Sequence, residues 1–90
     1  MIYLIDHQDS FTYNLAHLLE NFDDVYVSNY FKINTKKLNQ SSIVVFSPGP
    51  GEPKNYPKSN ILYKKLKGNK KILGICLGFQ LILYNEKGII

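Results

Sequence analysis

An α/β domain built on a doubly wound, parallel flavodoxin-like sheet with helices on both faces is predicted by three observations. Short continuous apolar runs, Ile2 to Ile5 and Ile43 to Phe46, suit strands buried on both sides. Stretches of helical period separate them, and turn-forming residues follow the strands. Ninety residues set the scale at one domain.

Each element can be justified in order. Ile2-Tyr3-Leu4-Ile5 ends at Asp6 and reads as the first strand. From Asp9 or Ser10 the period changes. Phe11, Leu15, Leu18, Leu19 and Phe22 recur at helical spacing with Asn14, His17 and Asn21 opposite, which predicts a helix with that apolar stripe as its face. Asp9 and Ser10 are its candidate N-caps. Asp23-Asp24 turn the chain into Val25-Tyr26-Val27, β-branched and aromatic, the second strand. Thr35 to Asn39 fits one helical turn. Ile43 to Ser47 is the third strand, and the prolines of Pro48 to Pro53 let neither helix nor strand continue. Ser59 to Leu66 places Ile61, Leu62 and Leu66 at helical spacing under a lysine-rich outer face, ending at Gly68-Asn69. Ile72 to Ile75 is a fourth strand, expected at an open sheet edge, and Gly78 to Lys87 a helix with Leu81, Ile82 and Tyr84 apolar. Gly88 and Ile89-Ile90 read as the start of a further strand, so the chain reads as cut off rather than finished.

Composition narrows the function classes. Hydrophobic residues at 44% and charged residues at 20% match globular usage and exclude a disordered chain. No apolar stretch nears the ~20 residues a bilayer needs, and the N-terminus meets Asp6 before any Lys or Arg, unlike a secretory signal. A cytoplasmic protein with no membrane partner is expected. The net charge of +4 is unevenly spread. Residues 1–31 hold Asp6, Asp9, Glu20, Asp23 and Asp24 and no Lys or Arg, whereas residues 32–71 hold ten lysines against Glu52 alone. The chain has no Arg, the residue that suits base edges and phosphate forks, so solvated lysine faces are expected and nucleic acid is not. Steering of an anionic substrate or an acidic partner is the alternative.

Cys76 is the only cysteine, which excludes an intramolecular disulfide. It stands in Gly74-Ile75-Cys76-Leu77-Gly78 between a strand and a helix, the spacing of a nucleophile elbow with Cys in place of Ser. Glycines two residues to either side are needed because side chains there would collide as strand turns into helix. The thiol is then held out at the end of the strand, and the Leu77 amide points where an oxyanion would form. A buried structural cysteine is the alternative. Pro48-Gly49-Pro50-Gly51 also follows a strand, so in a parallel sheet it emerges on the same edge. Its glycines let backbone N–H groups approach a ligand; a rigid turn is the other reading.

Three segments occur in order: Asp9-Ser10-Phe11-Thr12-Tyr13-Asn14, Ser47-Pro48-Gly49-Pro50-Gly51-Glu52-Pro53, and Gly74-Ile75-Cys76-Leu77-Gly78-Phe79-Gln80. Together they resemble the class I glutamine amidotransferases, most closely the small subunits (component II) of anthranilate synthase and aminodeoxychorismate synthase. The resemblance covers residues 1–90 and implies the N-terminal half of such a domain, since members run to about twice this length. It implies a cysteine that attacks the side-chain amide of glutamine, passes through a γ-glutamyl thioester and delivers ammonia to a chorismate-using synthase subunit, for tryptophan or folate synthesis. Carried over, Cys76 is the nucleophile and the amides of Gly49 and Leu77 are the oxyanion donors. Gly49, Pro50, Gly51 and Gln80 line the glutamine site. No cofactor and no metal are implied.

Two departures from the family pattern stand out. Phe79 replaces a common His, with an effect expected on packing more than on chemistry. The family's catalytic His and Glu lie in a C-terminal half that residues 1–90 do not contain. His17 falls on the polar side of the first helix and reads as solvated; His7 follows the first strand without the spacing of a base for the thiol. Little or no glutaminase activity is expected of these residues alone. The rival readings are a non-catalytic remnant that docks on the synthase partner, and another cysteine-elbow protein such as a chaperone or peptidase relative. Gln80 and the Pro48 to Pro53 loop speak against the latter.

Overall fold

Four short strands pair into one sheet whose two central, apolar members are buried on both faces. In the computed structural model, which describes residues 1–87, they are β1 (Ile2–Asp6), β2 (Val25–Asn29), β3 (Ile43–Phe46) and β4 (Lys71–Gly74). All pairings are parallel, in the order β2-β1-β3-β4. Parallel neighbours require crossovers, supplied by α1 (Thr12–Leu19), α2 (Thr35–Gln40), and a 3₁₀ turn (Pro53–Asn55) leading into α3 (Pro57–Leu66). After β4 comes α4 (Leu77–Lys87). The expected strand at Ile89-Ile90 lies outside the described residues.

The register sets Ile5 beside Phe46 and Phe46 beside Gly74, so the strands end level and their following loops share one edge. From β1 the chain moves outward to β2, then returns past β1 to β3. The topological switch point therefore lies between the loops that leave β1 and β3. As expected, β4 is at an edge; its Leu73 is 47% exposed.

Alternation along the strands divides the core in two. Tyr3, Ile5, Val44 and Phe46 face Leu38 of α2, Tyr63 and Leu66 of α3, and Leu77 and Leu81 of α4. Ile2, Leu4 and Val45 face the other way, onto Ala16 of α1.

The α1 face departs from expectation. Thr12 and Ala16 are buried and Leu15 and Leu19 half-buried, while Phe11 (64% exposed), Leu18 (60%) and Phe22 (80%) face outward. The reason lies at the start of the helix. Thr12 Oγ1 donates to Asp6 Oδ1 at 2.8 Å, and burying Thr12 to make that bond rotates the helix about one residue away from its apolar stripe. Neither Asp9 nor Ser10 is the N-cap. Phe11 holds that position with helical backbone angles and no side-chain cap. Asp9 instead accepts from the Phe11 N–H at 2.8 Å, and Asp6 organises the loop, accepting from Gln8 N–H at 2.8 Å and Asp9 N–H at 3.3 Å. Gln8 there adopts a left-handed φ of 62°.

Elsewhere the differences are small. Strand β2 runs on to Asn29, and β4 begins at Lys71 and ends before Ile75. Asn34 caps α2 by accepting from Lys37 N–H at 3.1 Å. Pro57 starts α3 two residues ahead of Ser59, as its missing N–H allows at a first helical position.

Candidate active site

Two residues, Ile75 and Cys76, separate the end of β4 at Gly74 from Leu77, the first residue of α4, and Cys76 is the second of them. To turn a strand into a helix this fast the chain takes a left-handed step there: φ of Cys76 is +54°. For a residue with a Cβ that conformation costs about 1–3 kcal/mol and persists only where surrounding contacts enforce it. Those contacts are visible at the flanking glycines. A Cβ on Gly74 would come within 2.5 Å of the Gly78 carbonyl group and 2.6 Å of Phe79 N, and a Cβ on Gly78 would fall on the Phe46 carbonyl oxygen. The two glycines thus pack against each other, and the start of α4 against β3. Ile75 N–H donates to that same Phe46 carbonyl at 3.1 Å, locking the turn to the neighbouring strand. The Cys76 side chain is exposed at the head of α4.

The second loop leaves β3 beside the elbow. Gly49 packs where a Cβ would lie 2.6 Å from the His7 Cβ and carbonyl oxygen and 2.9 Å from Leu77 Cδ2. The loops that follow β1 and β3 therefore meet the start of α4 at the switch point. Gly51 has φ +83°, and a Cβ on it would clash with Asn55 Oδ1 at 2.7 Å, so that glycine serves the turn itself. Asn55 Oδ1 accepts from Glu52 N–H at 2.7 Å, and the Tyr56 hydroxyl donates to the Pro50 carbonyl at 2.6 Å. The loop is held from below rather than left to move.

Beneath it lies a group that sequence reasoning missed as a unit. His7 is fully buried, stacked on Tyr30 and Phe46 and edge-on to Tyr56. Ser47 Oγ gives its one proton to the Pro48 carbonyl at 2.8 Å, so it accepts from His7 N–H at 2.9 Å and from His7 Nδ1–H at 3.2 Å. That leaves Nε2 to accept from Ser59 Oγ at 3.0 Å. The imidazole is neutral and both its nitrogens are used. Burial pushes its pKa down to about 4, against smaller opposing effects of the Ser47 hydrogen bond and the Asp6 charge. The one signal in the sequence was position: His7 and Ser47 each stand one residue beyond the end of adjacent strands.

Of the residues singled out in the sequence, Gly49 and Leu77 come into contact. Gln80 stands one helical turn after Cys76, its N–H donating to the Cys76 carbonyl at 3.0 Å, with its side chain exposed. Pro50 and Gly51 are exposed on the neighbouring loop. His17 is solvated on α1, 3.6 Å from Glu20 and on the other face of the sheet from α4. Phe79 is exposed. Among the described residues no three His, Cys, Asp or Glu side chains gather as metal ligands would, and no helix is long and apolar enough to cross a membrane.

Fold and elbow together define a parallel α/β domain with a cysteine on the strained strand-to-helix turn beside its switch point. Residues 3–88 match the family described as Glutamine amidotransferase class-I, and the chain belongs to that family. It is similar to anthranilate synthase component 2 of Lactococcus lactis, 43% identical over 84 residues that cover 92% of this chain and 42% of the relative. The same component of Buchnera aphidicola from Schizaphis graminum is 44% identical, covering 99% and 48%. That of Porphyra purpurea is 44% identical, covering 100% and 49%. The chain spans about half the length of these relatives. A solved GMP synthase subunit from Thermoplasma acidophilum shares the fold, with a TM-score of 0.76 at 22% identity over 96% of this chain and 44% of that one.

Proposed function

We propose that these residues form the nucleophile-bearing N-terminal half of a glutamine amidotransferase domain that supplies ammonia to a chorismate-using synthase subunit. The observation that carries this reading is the +54° φ of Cys76, enforced by the contacts of Gly74 and Gly78. A backbone strained in that way to present one thiol makes sense where the thiol reacts. The Cys76 thiolate attacks the side-chain amide carbon of glutamine, and a C–S bond forms as the carbonyl becomes an oxyanion. The amides of Gly49 and Leu77 donate to that oxyanion; preorganised donors of this kind are worth about 10²–10³ in rate apiece. Gly49, Pro50, Gly51 and Gln80 line the substrate. Collapse breaks the C–N bond and releases ammonia, and water then cleaves the thioester to glutamate.

The leaving nitrogen needs a proton, and the thiol must lose one. Among the described residues no histidine is placed for this exchange: His7 is buried with both nitrogens bonded, and His17 lies across the sheet. Residues 1–90 alone are therefore expected to turn over glutamine slowly or not at all, since loss of a triad member costs on the order of 10⁴–10⁶ in rate. The names of the relatives, anthranilate synthase component 2, favour the anthranilate-forming synthase as partner over the aminodeoxychorismate-forming one. A cytoplasmic setting accords with that supply role.

The rival reading is a non-catalytic module that docks on the synthase. The two separate by reactivity. A chloroketone analogue of glutamine should label Cys76 at least about tenfold faster than iodoacetamide of matched intrinsic reactivity, and glutamine should protect against it. Labelling at equal rates with no protection would abandon the nucleophile reading for the docking one.

A further inference from the structure

Three hydrogen bonds beneath the Gly49 loop run in one direction. The Ser59 hydroxyl, in the first turn of α3, donates to His7 Nε2 at 3.0 Å, and His7 Nδ1–H donates to Ser47 Oγ at 3.2 Å. Ser47 has a single hydroxyl proton, and it goes to the Pro48 carbonyl at 2.8 Å. His7, Ser47 and Ser59 are all buried, so each depends on the next for a partner. The direction is fixed at the Ser59 end. A proton on Nε2 instead would make Nδ1 an acceptor, and Ser47 would have to turn its proton to the ring and release the Pro48 carbonyl. That last bond decides where the Gly49 N–H points. The Pro48 carbonyl and the Gly49 N–H belong to one trans peptide plane and lie on opposite sides of it. With the carbonyl turned onto a buried hydroxyl, the N–H turns the other way, and among the described residues no acceptor takes it. Gly49 itself rests on His7, whose Cβ and carbonyl oxygen leave no room for a Cβ there.

We propose that Ser47 and His7 are positioning residues for the oxyanion: the chain of donors from Ser59 through His7 to Ser47 fixes the Pro48–Gly49 peptide plane and holds the Gly49 N–H aimed before substrate arrives. This rests on the amidotransferase reading above, in which that amide receives the oxyanion. It adds three residues that touch neither glutamine nor the thiol. A donor already held in place leaves no reorganisation for the moment of reaction, whereas a peptide free to rotate would have to turn first.

The test uses the whole 90-residue chain and two readouts. Long-range proton–nitrogen NMR correlation at pH 7 should show His7 of the wild type protonated at Nδ1 and bare at Nε2, with the exposed His17 identified by its loss in His17→Gln. Ser59→Ala should move that proton toward Nε2. The second readout is reactivity. When the Cys76 thiolate adds to the ketone of the chloroketone analogue of glutamine, an oxyanion forms before chloride leaves; iodoacetamide alkylates the same thiolate at a saturated carbon, with no oxyanion. The ratio of the two labelling rates therefore reports the oxyanion donors apart from the exposure and ionisation of the thiol. Ser47→Ala should lower that ratio at least about tenfold with the iodoacetamide rate unchanged, and Ser59→Ala should lower it by a smaller factor. Circular dichroism shows whether Ser47→Ala is folded; if it is not, Ser59→Ala, which leaves the Ser47 hydroxyl in place, decides, and an unchanged ratio there overturns the proposal. A wild-type His7 protonated at Nε2 overturns it whatever the labelling shows. A folded Ser47→Ala that keeps the wild-type ratio also overturns it and leaves the amidotransferase reading standing. Equal labelling of the wild type by both reagents, with no protection by glutamine, removes that reading and this proposal together.

Discussion

The two faces of the sheet are made from the same strands and end differently. On one, Tyr3, Ile5, Val44 and Phe46 disappear beneath three helices and a buried His7 network. On the other, Ile2, Leu4 and Val45 have a single two-turn helix above them, and that helix turns its largest side chains to solvent. A periodic apolar stripe states which residues could be buried together; it does not state what they meet. Here one polar contact, Thr12 to Asp6, outweighed the stripe in setting the rotation of α1, because the buried Thr12 hydroxyl must be paired whereas an exposed Phe costs little.

Substitutions should reproduce that contrast. The largest effect is expected at Phe46, which is fully buried and packs against His7 and Tyr63: Phe46→Ala should cost about 3–5 kcal/mol in urea unfolding. A loss under about 1 kcal/mol would mean that the covered face is not the principal core.

Next comes the buried imidazole. Above pH 6.5 His7 is neutral in both states and stability does not depend on it. Between 6.5 and about 4 the unfolded chain takes up a proton that the fold refuses, so stability falls as pH falls, by a total of about 3 kcal/mol at the folded value. The carboxyls of Asp23 and Glu86, held low by the N-terminal amine and by Lys67 with Tyr63, lose their contributions further down in pH. Unfolding free energies at pH 7 and pH 4.5 should therefore differ clearly in the wild type and much less in His7→Gln. An equal slope in both proteins would place the titrating group elsewhere.

The smallest effect belongs to the open face. Phe22→Ala, at a side chain 80% exposed, should shift stability of the dilute monomer by no more than about 0.5 kcal/mol. A cost of about 2 kcal/mol there would show that α1 is covered even in the isolated chain, and the contrast between the faces would collapse.

Much of the candidate site was legible because its chemistry is local. Gly74, Cys76 and Gly78 stand two residues apart, and the need for glycine at both flanks follows from the geometry of one turn. The Pro48 to Gly51 loop was equally plain, since prolines and glycines end a strand whatever surrounds them. What could not be read was the floor of the site. Ser47 and Ser59 lie 40 and 52 residues from His7, and nothing in that spacing announces that each bonds one of its ring nitrogens. The N-cap of α1 failed for a related reason: Asp9 and Ser10 have the right side chains, but Asp6, at the end of β1, captured the loop first.

Local rules thus determined the order and type of the elements, the parallel sheet, the elbow glycines and the segregation of charge, because periodicity, turn chemistry and sterics act over a few residues. Only the tertiary structure decided which side of α1 is buried, that His7 is neutral and bonded at both nitrogens, and that Gly49 lies against Leu77. Those outcomes depend on contacts between segments brought together by strand register, and register is a property of the assembled sheet.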